Sequence, residues 1–218
     1  LANGIKVVIK QTPYQADNIG FEAISDGGAA VFADDMYYSA QMLGSVMSMS
    51  GISKFSASDL RKQLSGKTAQ ASLGVSAYEH MVTANAALKD VETMFQLLYL
   101  QFTAPSFSED GFNTLMKRYD AMLANQMTDP DFIFSQTLMN TMYGNSYRRQ
   151  QLTPELLSTI KLEHMAEIHK QLFSNAADFR FTFVGNMSPE ELKPLVEKYI
   201  GSLPTAKKPA NVYTDDKV

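Results

Sequence analysis

The chain has 218 residues, of which 45% are apolar, and a formal net charge of −4 at pH 7. This composition predicts a globular protein with a buried core, in one large domain or two small ones. The charges form no basic stripe, which argues against nucleic acid as a partner. Because the chain contains no cysteine, disulfides, thiolate metal clusters and a cysteine nucleophile are excluded.

The start of the chain and its apolar runs bear on where the protein works. No apolar run approaches the roughly 18 residues that a membrane span needs, so we predict none. The chain opens with "LANGIKVVIK", which is typical of a strand from its first residues and has no initiator methionine. We therefore expect a piece cut from, or processed out of, something longer.

Apolar periodicity, helix caps and Gly or Pro breaks predict an order of elements along the chain. These elements are strands 6–10 and 19–25, helices 34–50 and 56–66, strands 68–76 and 79–88, helices 89–104, 109–127, 131–143, 153–160 and 161–173, strand 178–186, and helix 188–201. Blocks of strands that alternate with blocks of helices favour an α+β fold, with a mainly antiparallel sheet and helices packed on one face.

The segment "KLEHMAEIHK" (161–170) has two histidines and a glutamate, which is close to a zinc peptidase motif. His164 and His169 are five residues apart, which on a helix separates them by about 140°. Two histidines that bind one ion from one helix are four residues apart, about 40° around its axis. We therefore predict a solvated His164 and a partly buried, hydrogen-bonded His169, and a structural role for His80. A metal-dependent hydrolase using His164, Glu167 and His169 is a weaker alternative.

Three stretches of the chain resemble one protein family. "LANGIKVVIK" resembles its first strand, NG-x-x-V, and "YGNSYRR" followed by "LTPELLSTI" resembles its YG…Y-x-R loop and T-x-E-x-L helix. "FTFVGNMSPEELKPLVEKYIGSLP" resembles its strand, Gly turn, P-E-E-L helix and terminal G-x-L-P. On these motifs the chain resembles the pitrilysin or insulinase family of zinc metallopeptidases, which includes the mitochondrial processing peptidases. The resemblance implies one domain over 1–204 and a linker over 205–218 toward a missing following domain.

Active domains of that family carry H-x-x-E-H on the helix after the second strand and a further glutamate on a later helix. The two histidines and the distant glutamate bind zinc, and the motif glutamate activates water. Here the corresponding helix, 34–50, has no His or Glu, and Met122 is the approximate counterpart of the distant ligand. The resemblance therefore implies a degenerate domain, closest to the third domain of bacterial single-chain members. Such a domain would hold no catalytic or metal-binding residue and no cofactor, and zinc is expected in the catalytic half.

The resemblance leads to a hypothesis about function. A non-catalytic domain of a zinc-dependent metalloendopeptidase would enclose and bind peptide substrate, with the zinc site in a missing partner half of the same polypeptide or in a partner subunit. Tyr147, Arg148 and Arg149 are candidate substrate-binding residues, because an irregular loop can place guanidinium groups against peptide carbonyls or carboxylates. The alternatives are that these arginines are solvated or pair within the domain, and that the chain is a structural, core-protein-like subunit without a proteolytic role. Bacterial members are commonly exported, so we expect a periplasmic or otherwise exported location.

Overall fold

The computed structural model describes residues 1–14 and 16–206. Its strands are β1 Val7–Gln11, β2 Asn18–Asp26, β3 Ala69–Val75, β4 Glu79–Ala87 and β5 Arg180–Gly185. Its α-helices are α1 Asp34–Ser50, α2 Ala57–Gln63, α3 Val91–Thr103, α4 Glu109–Gln126, α5 Pro130–Met142, α6 Pro154–Leu157, α7 Met165–Phe173 and α8 Pro189–Leu195. The predicted order of elements is therefore found in the structure.

Polar caps explain where several of these helices begin. A side chain before the first helical residue accepts a backbone N–H of the first turn, which would otherwise have no partner. Such caps are present before α2, α4, α5, α6 and α8, at Ser56, Ser108, Asp129, Thr153 and Ser188. Ser188 also forms a full capping box with Glu191, so the start of α8 is fixed by the sequence itself.

The strands form one five-stranded sheet in the order β1-β5-β2-β4-β3. Only β1 and β5 pair in parallel, with Val7 opposite Phe181. The pairs β2–β4, β2–β5 and β3–β4 are antiparallel. The last strand of the described residues is therefore inserted between the first two, and the predicted mainly antiparallel α+β fold is confirmed.

One face of the sheet carries the core. Ile19, Phe21 and Ala23 alternate along β2 and are at most 4% exposed. Phe183 on β5 stacks on Phe95 of α3 with ring centroids 5.2 Å apart. Burying a phenylalanine of this kind contributes about 1.5–3 kcal/mol, so this face holds the helices on the sheet.

Other surfaces of the domain leave large apolar side chains in water. On the opposite face of the sheet, Val8 is 60% and Val184 39% exposed. Helix α5 has no buried residue, and its Phe134 and Met142 are 68% and 67% exposed. Exposed apolar side chains in such number on one helix are typical of a surface that another element or domain covers.

Several predicted helices differ in detail from the structure. The helix predicted over 153–160 ends at Leu157, and the one predicted over 188–201 continues after α8 as a π-helix, Val196–Ile200. The segment 161–173 is a 3₁₀ turn, Leu162–His164, followed by α7, so His164 precedes the α-helix. The helix predicted over 56–66 ends at Gln63, because the chain turns after Leu64 toward β3. Helix ends are decided by the contacts of the last turn, and apolar periodicity does not report them.

The predicted linker over 205–218 lies outside the described residues except for Thr205 and Ala206. The backbone N–H of Ala206 donates to Asn175 Oδ1 at 2.7 Å. The last described residue is thus still hydrogen-bonded to the domain.

Candidate functional site

The Tyr147–Arg149 turn follows α5 and lies against the start of α1. Arg148 Nε donates to Asp34 Oδ1 at 2.6 Å, and one of its terminal nitrogens donates to the Phe32 carbonyl at 2.8 Å. Its guanidinium lies 4.9 Å from the ring centroid of Tyr37. The side chain is only 19% exposed. Arg148 therefore ties the turn to the N-terminal end of α1.

The residues on either side of Arg148 also make contacts inside the domain. The Tyr147 carbonyl accepts the Tyr38 hydroxyl at 2.6 Å, and the two rings pack edge to face. Arg149 donates to the Tyr78 hydroxyl and lies over the rings of Tyr78 and Tyr143. Burial, with smaller contributions from Tyr147, Tyr37 and Asp34, raises the pKa of Tyr38 to about 12.

The three candidate substrate-binding residues are thus brought together, but both guanidinium groups and the Tyr147 carbonyl have partners in their own domain. This is the pairing within the domain that the sequence left open as an alternative. Substrate binding by Tyr147, Arg148 and Arg149 stays a prediction, and it would require those contacts to be shared or exchanged.

Replacing Arg148 with methionine is expected to lower the free energy of unfolding by about 2 kcal/mol. The substitution keeps much of the side-chain length but removes charge-assisted hydrogen bonds to Asp34 and to the Phe32 carbonyl. Urea unfolding of the 218-residue chain measures this change. Arg180→Met is the matched control. The ion pair between Arg180 and Asp26 is 3.5 Å long and both side chains are exposed, so its loss is expected to cost little. Equal losses in the two variants would contradict a structural role for Arg148.

The histidines do not meet at one site. His164 Nδ1 shares a hydrogen bond of 3.2 Å with Ser39 Oγ of α1, and its residue is half-buried. The prediction of a solvated His164 is therefore wrong: Ser39 also accepts the Lys161 N–H at 3.1 Å, which draws the 3₁₀ turn onto α1. The predicted hydrogen bond of His169 is confirmed, since its Nε2 donates to the Gln101 carbonyl of α3 at 2.7 Å, and at 4% exposed the residue is more buried than predicted. Burial lowers the pKa of His169.

His80 on β4 is fully buried, between the rings of Phe173 and Phe179. Its Nδ1 faces the Gly28 N–H at 3.4 Å. Gly28 has φ +56°, and a Cβ there would lie 2.5 Å from the Glu79 backbone nitrogen. The close approach of the two strand ends thus requires glycine at 28, and His80 fills the space beneath it, in keeping with a structural role.

The residues of this domain do not fit a zinc site. Within residues 1–14 and 16–206, no three His, Asp or Glu side chains are placed to hold one ion. The acidic residues of α1 are Asp34 and Asp35 in its first turn, and Asp34 is bonded to Arg148. His164 and His169 bond to different helices, and Glu167 is exposed.

A cleft between α1 and α4 was not identified from the sequence. It has a volume of about 420 Å³ and is bounded by Met49 on α1 and by Met122 and Arg118 on α4. Of two neighbouring methionines on α1, Met47 belongs to the core, at 4% exposed, whereas Met49 is half-buried and lines this cleft. Helical periodicity predicts which face of α1 a residue lies on. Which parts of that face are buried depends on how α1 packs against α4.

Among the described residues, no helix is both long enough and apolar enough to cross a bilayer.

The chain is similar to known proteins over nearly its whole length. A zinc protease PQQL-like protein of Arabidopsis thaliana is 25% identical over 218 residues, which is 99% of this chain and 20% of that protein. The probable zinc protease PqqL of Escherichia coli is 23% identical over 203 residues, which is 93% of this chain and 22% of that protein. The chain thus spans about a fifth of the length of these curated relatives.

Solved structures show the same fold. The periplasmic protease PqqL from Escherichia coli superposes with a TM-score of 0.80 at 22% identity, over 97% of this chain and 23% of that one. A peptidase M16 inactive domain from Pseudomonas fluorescens superposes with a TM-score of 0.73 at 16% identity, over 94% of this chain and 50% of that one. The sequence model of the family described as "Peptidase M16 inactive domain" matches residues 159–218. These matches confirm the resemblance stated from the sequence: residues 159–218 match the peptidase M16 inactive domain, and the chain has the fold of a solved domain of that kind.

Proposed function

We propose that this domain encloses and binds peptide substrate in a zinc-dependent metalloendopeptidase whose zinc site lies in a catalytic partner half. The observation that carries the proposal is the combination of a protease-family fold with an α1 that has no histidine and no glutamate. The relatives are named zinc proteases, yet the acidic residues of α1 lie in its first turn and its sequence contains no histidine. In this proposal the zinc belongs to the catalytic half, and this domain supplies wall and contacts.

The exposed apolar side chains of α5 support a partner half. Phe134 is 68% exposed, and Leu138, one turn further along the helix, is 46% exposed. Side chains three and four residues apart share a helix face, so these two residues form one apolar strip. A strip of this kind is stabilised when a second domain removes it from water. The chain also covers only half of the solved Pseudomonas inactive-domain protein, which leaves room there for another domain of similar size.

We further propose that the full-length protein is exported to the periplasm. The support is the solved Escherichia coli relative, which is described as a periplasmic protease. The chain's lack of cysteine is compatible with that compartment, where disulfides form readily, without requiring it.

The proposed role is tested by peptide cleavage in the full-length polypeptide. A version without residues 1–204 is expected to lose most of its cleavage activity, and the 218-residue chain with added zinc is expected to cleave nothing. Zinc analysis of the chain should give far less than one ion per molecule. A second variant, Phe134→Asp with Leu138→Asp in the full-length protein, removes the apolar strip without changing a buried residue. It is expected to reduce cleavage while the free energy of unfolding of the isolated domain stays unchanged.

Two outcomes would contradict the proposal in different ways. Chelator-sensitive cleavage by the 218-residue chain alone would show that this domain is itself catalytic. Undiminished cleavage after removal of residues 1–204 would rule out the enclosing role and favour the structural, core-protein-like alternative.

A further inference from the structure

The cleft between α1 and α4 has the dimensions and chemistry of a binding site. Its volume is about 420 Å³, which is within the usual range for small-ligand pockets. Ser45, Ser48 and Met49 line it from α1, and Leu115, Arg118 and Met122 line it from α4. The two helices pack directly against each other, so the two walls belong to one packed unit.

The floor of the cleft is apolar and adaptable. Leu115 is 7% exposed and belongs to the core, whereas Met122 is 43% exposed at the rim. Met49 is half-buried on the facing wall. Methionine is unbranched and polarizable, so two methionines around a leucine can accommodate apolar side chains of different shape.

Arg118 provides the charge of the cleft. Its side chain is exposed, and it makes no hydrogen bond or ion pair with any other residue of the described chain. It also lines a neighbouring cleft of about 610 Å³ between α1, α2 and α4, which shares Ser48 and Met49 with the first. This contrasts with Arg148, whose guanidinium is bonded to Asp34 and to the Phe32 carbonyl. Arg118 is therefore available to an anionic group at the point where the two clefts join.

We propose that this cleft binds a peptide segment that presents an apolar side chain next to a carboxylate. The inference rests on the proposed peptide-binding function and names the class of peptide that this domain selects. The apolar side chain would lie on Leu115 between Met49 and Met122. The carboxylate would accept two N–H bonds from the planar guanidinium of Arg118, a geometry that a lysine does not offer. The Ser45 hydroxyl lies on the same wall and can bond the peptide backbone, and the Ser48 hydroxyl, which donates to the Ser45 carbonyl at 3.3 Å, can accept a backbone N–H.

Three short peptides distinguish the sources of the carboxylate. Ac-Gly-Gly-Leu with a free C-terminus presents the terminal carboxylate, and its C-terminal amide presents none. Ac-Gly-Leu-Asp-Gly amide presents a side-chain carboxylate beside the same leucine. Binding to the 218-residue chain, labelled with ¹³C at the methionine methyl groups, is followed by NMR. The methyl signals of Met49 and Met122 are expected to move on titration, and that of the fully buried Met165 is expected to stay in place.

At least one carboxylate peptide is expected to bind about fivefold more tightly than the amide, since an exposed charge pair contributes up to about that factor. Arg118→Gln should remove this advantage while leaving the binding of the amide unchanged. Lys117→Gln is the matched control, because Lys117 is also exposed on α4 but does not line the cleft. It should leave all three affinities unchanged.

Three results would overturn the inference. One is the absence of any shift at Met49 and Met122 with all three peptides. Another is equal affinity for the carboxylate and amide peptides. The third is that the Met49 and Met122 methyl signals move when the protein is concentrated in the absence of peptide. That result would mean that a second copy of the chain occupies the cleft. None of these results affects the cleavage experiments on the full-length protein, so failure of this inference is distinguishable from failure of the proposed function.

Discussion

Replacing Gly44 with alanine is expected to lower the free energy of unfolding by at least about 3 kcal/mol, because α1 lies directly on the backbone of β3 at this residue. A Cβ at Gly44 would be 2.2 Å from the Leu73 carbonyl oxygen and 3.2 Å from the Leu73 carbonyl carbon. The atoms in the way belong to the backbone of Leu73, which is paired with Val82 of β4. They cannot move aside as the end of a flexible side chain could. Either the helix or the strand must shift, together with the core between them.

Helix propensity acts in the opposite direction and is smaller. Alanine is favoured over glycine inside a helix by about 1 kcal/mol. In an exposed helix the substitution would therefore be stabilising, and a net loss at Gly44 reports the contact with β3. Urea unfolding of the 218-residue chain, followed by circular dichroism, measures the difference in midpoint.

Gly20→Ala is the matched control for this prediction. A Cβ at Gly20 would meet only the Val184 carbonyl oxygen, at 3.8 Å, which is an ordinary contact. We expect a change within about 1 kcal/mol for this variant. A Gly44→Ala variant as stable as the original chain would show that α1 and β3 are further apart than the structure has them.

The sequence predicts the elements of this fold well, but not their arrangement in space. Helix α1 is found at its predicted bounds, Asp34–Ser50, because two acidic residues at its start and an apolar period of three to four are local signals. The insertion of β5 between β1 and β2 is not a local property. Its register, with Phe183 opposite both Ile9 and Phe21, pairs residues more than 160 positions apart. Only the resemblance to a known family could have indicated that order.

The candidate site shows the same division. That residues 147–149 form a polar turn follows from the run of Gly, Asn and Ser before them. That Arg148 reaches Asp34, 114 positions away in sequence, does not follow from either residue. His164 illustrates a second limit, since a helical projection placed it in water, whereas Ser39 of a distant helix draws it inward. Sequence periodicity describes a single helix or strand, whereas the partner of a side chain depends on how two such elements pack together.

The chain is expected to lose stability as the pH falls below 6.5, through the burial of His80. Burial lowers the pKa of His80 from 6.5 to about 4, against smaller opposing effects of the Leu172 carbonyl and Asp26. The unfolded chain therefore binds a proton between these two pH values that the folded chain does not. The stabilisation is fully present above pH 6.5 and is lost as the pH falls toward 4. A difference of this size corresponds to about 3 kcal/mol.

The environment of His80 explains why it resists protonation. The ring packs edge to face on Phe173 and Phe179, with centroids 5.3 and 5.1 Å away. The Gly28 N–H points at Nδ1, so this nitrogen acts as an acceptor and the proton is on Nε2. Nε2 makes no hydrogen bond of regular geometry within the described residues, although the Leu172 carbonyl is near enough to oppose the shift. A second proton would have to be placed on Nδ1, against that N–H.

Two measurements separate His80 from the other titrating groups. The NMR signals of its ring should remain those of a neutral imidazole at pH 5, and a ring that titrates near pH 6.5 would contradict the prediction. His80→Phe should flatten the dependence of unfolding free energy on pH between 6.5 and 4, because phenylalanine is an aromatic ring without a proton to bind. The remaining slope belongs to groups such as His169, whose pKa burial also lowers. An unchanged slope in this variant would assign the whole acid sensitivity to those groups.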